Sequence, residues 1–146
     1  MKKVVLTTVF LFAFLRIGHM EDFKLVQTNV FTEENLFKLM TEIGIVYPEI
    51  AMAQAKIETG YFTSRIFREN RNLFGMKLPR SRSTTAVGVN RNHAVYRDWT
   101  QSVIDYKLWQ DRIIHKLGTR KKYLNYLSRN YAEDGSYVKK IKKIIN

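Results

Sequence analysis

The chain contains no cysteine, which excludes disulfides, a thiolate metal site and a lipid-anchored cysteine, though it does not decide the compartment. Its three histidines, His19, His93 and His115, lie far apart and lack the spacing of metal ligands, so no metal is expected. There is no phosphate-binding P-loop, no dinucleotide fingerprint and no nucleophile elbow, and no cofactor is expected. No internal repeat occurs, and the one biased stretch is the lysine-rich end. No apolar run reaches the roughly 20 residues of a comfortable membrane span. Acidic residues are few, 13 against 25 Lys and Arg, for a net charge of +12. From Asn70 through Arg97 there is no acid at all.

What is present fits one domain with a modest core, since 146 residues at 45% hydrophobic and 13% aromatic are neither disordered nor multi-domain. The positive excess implies an anionic partner or surface; nucleic acid, acidic lipid and bacterial wall polymers all qualify. Residues 1–20 differ from the rest. Lys2-Lys3 precedes the apolar run VVLTTVFLFAFL, ended by Arg16. This resembles a secretory signal or a membrane tether ahead of a domain over residues 21–146. No small-x-small cleavage site follows, and a true start at Met20 is the alternative; export is the preferred reading.

Thr32-Glu33-Glu34 looks like a helix cap with acids in the first turn, followed by Leu36, Leu39, Met40 and Ile43 at helical spacing. Gly44 closes that helix and Pro48 opens the next. Beyond Leu78 the character changes. Pro79 to Ser83 is a basic loop, and the β-prone runs Thr84–Val89 and Ala94–Arg97 flank the turn signal Asn90-Arg91-Asn92, which predicts a small hairpin. His93 beside that turn reads as an exposed hairpin residue. Asp98 or Thr100 caps a helix expected to run to about Leu117, with Trp99, Val103, Tyr106, Ile113 and Leu117 on one core stripe. Helices over Lys121–Arg129 and Ser136–Ile145 complete the chain.

The most informative stretch is Pro48 to Lys77. Ile50, Ala51, Ala53, Ala55 and Ile57 make a small-residue helix suited to close packing, and Gly60 is placed to end it with positive φ. Glu58 then falls in the last turn, where the helix dipole disfavours an anion and apolar neighbours desolvate it. A carboxyl kept protonated near neutral pH is what a general acid needs. On residue type alone, the commoner reading is an ordinary surface glutamate.

The surrounding residues change that balance. Ala53, Gln54, Glu58, Thr59 and Gly60, then Ser64, then the run Asn72-Leu73-Phe74-Gly75-Met76-Lys77, resemble the signature of glucosaminidase domains, a family of peptidoglycan hydrolases. The likeness continues through Tyr96-Arg97-Asp98-Trp99 with Ser102, and through Tyr131-Ala132-Glu133-Asp134 with Tyr137 and Lys140. The resemblance implies a mainly α (α+β), lysozyme-like helical domain whose small β-hairpin lobe forms one wall of a glycan cleft. It implies Glu58 as the catalytic acid, and peptidoglycan glycan strands as partner. Tyr61, Asn72, Phe74, Gln54 and Asn70 are the candidates for sugar contact, the asparagines through their amides. An anionic cell-wall surface would hold the basic protein, which is expected to act as a monomer outside the cytoplasm with no nucleic-acid partner.

One departure stands out. Some family members carry a partner glutamate in the β-lobe, and here that lobe has no acid. Three routes to a second catalytic function are open: the substrate's own N-acetyl group as internal nucleophile, Glu133 or Asp134 from the C-terminal segment, or Tyr131, which matches a family tyrosine near the cleft. The first, helped by Tyr131, is preferred. Lytic transglycosylase or muramidase chemistry, a basic nucleic-acid-binding protein and an inactive wall-binding protein are the alternatives.

Overall fold

The computed structural model describes residues 30–131 and 135–146; the segment 1–20, Glu133 and Asp134 lie outside the described residues. The elements in order are α1 (Glu33–Glu42), α2 (Pro48–Thr59), α3 (Arg65–Asn70), β1 (Gly88–Asn90), β2 (His93–Val95), α4 (Trp99–Asp111), α5 (Ile114–Leu117), α6 (Arg120–Asn130) and α7 (Tyr137–Ile145). The architecture is mainly α with one antiparallel hairpin, as expected.

Helix α2 lies at the centre. Proline opens it, and Gly60 closes it at φ 54°. Its alanines allow neighbours to approach on two faces. Ala51 and Ala55 join Leu36, Met40, Leu73, Phe74, Val103 and Tyr106 in one apolar cluster. Ile50 and Ala53 join Tyr123, Leu127, Tyr137 and Ile141 in a second. Complete burial of a side chain such as Ile50 contributes roughly 1.5–3 kcal/mol. The same helix therefore belongs to both cores, and α7, the last element, covers its second face.

Caps follow local chemistry. Thr32 accepts from the Asn35 N–H at 3.0 Å, and Asp98 accepts from the Thr100 and Gln101 N–H groups. Two boundaries differ from the sequence reading. The stretch after Gly60 contains a short helix, α3, capped by Ser64 through the Phe67 N–H at 3.1 Å. The helix expected to reach Leu117 breaks after Asp111 and resumes as α5.

The hairpin pairs Gly88 with Val95 and Asn90 with His93. Arg91 and Asn92 form its two-residue turn with φ of 53° and 61°, the double left-handed geometry that matches strand twist. It is fastened to the helical part by buried polar groups. The Asn72 amide donates to the carbonyls of Met76 at 2.8 Å and Ala94 at 2.9 Å and accepts from the Phe74 and Met76 N–H groups. Asn70 donates to Asn90 O at 2.9 Å. Behind the lobe, Arg82 forms a two-pronged bond to Asp105, at 2.5 and 3.1 Å, and the Tyr96 hydroxyl donates to the same carboxylate at 2.6 Å. Asp105 is fully buried.

Candidate active site

Glu58 sits in the last turn of α2, half-buried, and burial raises its pKa above the ordinary carboxyl value. Two neighbours pull the other way: a hydrogen bond from Tyr137 and the charge of His93. The Tyr137 hydroxyl donates to Glu58 Oε1 at 2.8 Å. The other oxygen, Oε2, lies against Gly75, where an added Cβ would come within 2.9 Å of it. Gly75 also adopts φ 63°, so both backbone conformation and space call for glycine there. The Asn72–Lys77 loop is thus the seat for the carboxyl.

Behind Tyr137 runs a chain of buried polar groups. Gln54 Nε2 donates to the Tyr137 hydroxyl at 3.3 Å, while Gln54 Oε1 accepts from the Tyr106 hydroxyl at 2.6 Å. Tyr106 and Tyr123 hydroxyls are 2.7 Å apart, and Gln110 Nε2 donates to Tyr123 at 3.1 Å. Gln110 in turn exchanges bonds with both backbone groups of Val46, at 2.8 and 2.9 Å. Because Tyr106 donates to Gln54, it accepts from Tyr123, and every donor in the chain points toward Glu58. Such an aligned series favours negative charge at its end, which moderates the desolvation of the carboxyl. Burial first, and the nearby Glu58 charge second, hold Tyr137 well above the ordinary phenol range, so it acts as a donor.

The turn after Glu58 is strained. Gly60, Tyr61 and Phe62 take φ of 54°, 56° and 66° in succession, and a left-handed conformation costs a non-glycine residue roughly 1–2 kcal/mol. Local bonds hold it: Thr59 Oγ1 donates to Ala55 O at 2.6 Å and accepts from the Phe62 N–H at 2.8 Å. Strain of this kind gathers at functional sites. Here it turns Tyr61 outward, 61% exposed, to line a groove of about 550 Å³ with Lys56, Ile57, Lys140, Lys143 and Ile144. The Glu58 carboxyl is not part of that groove's lining.

The other residues expected to meet sugar are placed differently. Gln54 and Asn70 are fully buried, and Asn72 and Phe74 are at 1% exposure. Their polar atoms are committed to backbone, to the Asn90 side-chain amide and to the hydroxyl chain, and Phe74 stacks on Tyr106 at 4.1 Å. They are buried beneath the Glu58 seat. Tyr131 bonds to the Phe74 carbonyl at 2.5 Å and stacks on Tyr137, so its hydroxyl fixes the Gly75 loop. The residue that reaches Glu58 is Tyr137, six positions later. It was part of the matched motif, but nothing in local spacing marks its partner.

His93 was expected to be exposed on the hairpin; it is half-buried, and its charge acts on Glu58. The described residues contain no cluster of three or more His, Asp, Glu or Cys that could hold a metal. Among them no helix is long and apolar enough to cross a membrane.

A helical domain that presents one desolvated carboxyl, beside a small hairpin tied to the loop that seats it, has the features of a glycoside hydrolase. The family model for glucosaminidase, described as mannosyl-glycoprotein endo-beta-N-acetylglucosaminidase, matches residues 34–146. The chain belongs to that family. It is also similar to Protein bax of Escherichia coli (strain K12), with 32% identity over 68 residues, which is 47% of this chain and 25% of that protein. This chain therefore matches only a quarter of that relative's length. No solved structure is significantly similar.

Proposed function

We propose that the protein is an exported peptidoglycan hydrolase that cleaves the β-1,4 bond after N-acetylglucosamine, with Glu58 as general acid. The observation that carries this reading is the state of Glu58: a desolvated carboxyl seated on Gly75 and held by Tyr137. Burial raises its pKa and so keeps a proton available to the departing glycosidic oxygen. Hydrolysis is assisted by the substrate. The acetamido oxygen attacks the anomeric carbon as Glu58 protonates the leaving oxygen. Glu58, now a carboxylate, then takes a proton from the water that opens the cyclic intermediate, and the anomeric configuration is retained. The lack of any acid from Asn70 through Arg97 supports this route over a second catalytic carboxyl on the hairpin. The basic faces hold the enzyme on an anionic wall.

Mass spectrometry of peptidoglycan digested by the purified protein tests the bond. Fragments ending in reducing N-acetylglucosamine are expected. A reducing N-acetylmuramic end would mean a muramidase, and an anhydro end a lytic transglycosylase, which the single acid also favours. Salt-sensitive DNA binding with no wall lysis would point to the nucleic-acid reading instead.

A further inference from the structure

The acetamido route leaves one requirement unmet. As the ring closes, positive charge gathers on the acetamido nitrogen, and its N–H needs an acceptor. A carboxylate would serve, but the described acids of the hairpin half are already committed. Glu69 bonds Arg65 and Arg91, Asp98 caps α4, and Asp105 is buried against Arg82 and Tyr96.

We propose that His93 supplies this acceptor, through Nε2 of its neutral imidazole. The proposal rests on the hydrolase reading given above. The hairpin that carries His93 is pinned to the loop seating Glu58: Ala94 N–H donates to Met76 O at 2.9 Å, next to Gly75. The ring is half-buried and lies within electrostatic range of Glu58. Its tautomer follows from geometry. Nδ1 lies 2.7 Å from the Arg91 carbonyl; a carbonyl only accepts, so Nδ1 carries the hydrogen and Nε2 of the neutral ring has the free lone pair. The strained Arg91–Asn92 turn, tied by Arg91 to Glu69 at 3.3 Å, presents that carbonyl. The charged and titratable groups around the pair are Glu58 on α2, Tyr137 on α7, Tyr131 at the end of α6, and Arg91, Glu69 and Arg65 around the turn.

In the first step the acetamido oxygen–anomeric carbon bond forms, the glycosidic bond breaks, and the Glu58 proton leaves with the departing sugar. The N–H stays on nitrogen and donates to Nε2. In the second step water adds to the anomeric carbon, Glu58 takes its proton, and the ring opens. No further reactant is required.

The test compares wild type, His93→Ala and His93→Gln on a soluble glycan, with a thiazoline mimic of the cyclic intermediate as inhibitor. Alanine should lower kcat about 100-fold and weaken thiazoline binding by a similar factor, while KM changes little. Glutamine, whose amide oxygen falls near the place of Nε2, should recover part of both. A His93→Ala protein with wild-type kcat and wild-type thiazoline affinity overturns the proposal. Failure of the hydrolase reading looks different, since it concerns the wild type alone: no digestion of peptidoglycan or an inverted product sinks both ideas. An active, retaining wild type with indifferent variants sinks only His93.

Discussion

The two walls of the site use their buried polar groups in opposite ways. On the helical wall, Gln110, Tyr123, Tyr106, Gln54 and Tyr137 form a directed series that ends on the Glu58 carboxyl. On the hairpin wall, Asn72, Asn70, Arg82, Tyr96 and Asp105 bond to backbone or to one another and hold the lobe in place. One wall tunes the Glu58 carboxyl, and the other builds a support. Buried polarity is therefore no guide to catalysis by itself; what matters is where the series of donors ends.

The sharpest way to break this contrast is at the end of the helical series. Glu58→Gln should reduce wall lysis by about 10²–10⁴-fold, since an amide has no acidic proton to give. It should also stabilise the fold at neutral pH. A carboxyl whose pKa is raised by folding favours the native state below its unfolded pKa and loses that favour as pH rises through its folded value. The gain in Tm should thus be present at pH 7 and vanish on acidification below the ordinary carboxyl range. A well-folded Glu58→Gln protein with near-normal turnover would remove Glu58 from the mechanism.

Next in size is the support wall. Asp105→Ala leaves the Arg82 guanidinium and the Tyr96 hydroxyl buried without their partner, and should destabilise the domain by about 3–5 kcal/mol. Denaturant unfolding measures this. The remaining folded fraction should keep the Glu58 titration of the wild type. If Asp105→Ala instead shifts that titration while stability holds, the division of labour between the walls is wrong.

A smaller effect is expected from Tyr137→Phe. Its hydrogen bond lowers the Glu58 pKa, so its loss should raise that pKa and carry the descending limb of activity to higher pH. Carbon NMR of the labelled carboxyl reads the same shift without a substrate. An unchanged Glu58 pKa would mean that the hydroxyl series ends short of the reaction. The smallest effect concerns the outer charge. Raising salt should weaken binding to intact sacculi, with little change in cleavage of short soluble glycans. Equal salt sensitivity on both would move the lysines into the cleft.

What could be read in the chain was local. Thr32, Asp98, Pro48 and Gly60 mark helix ends through bonds that span a few residues, and these places agree with the structure. The hairpin turn was legible for the same reason. The series behind Glu58 was not, because Gln54 meets Tyr106 and Tyr137 across 52 and 83 residues, and no spacing rule links such positions. The burial of Asn70 and Asn72 was not legible, because an asparagine in a polar stretch looks like a surface residue. Here their amides complete the backbone bonding of an irregular buried loop, as buried peptide groups require. Helix α3 was missed because its six residues are largely polar, with Ser64 capping its start, Asn70 buried at its end and Phe67 alone packing into the aromatic cluster with Phe31 and Phe62.

Helix α7 supplies Tyr137 and covers the Ile50–Ala53 face of α2. That arrangement sets an order in time. Domains assemble as the chain is made from the N-terminal end, so Glu58 emerges long before the residue that bonds it. Until α7 docks, Glu58 lacks its hydroxyl partner and α2 has one bare apolar side. A nascent or prematurely terminated chain ending before Tyr137 would carry Glu58 without the surroundings that tune it, and would be a target for proteolysis.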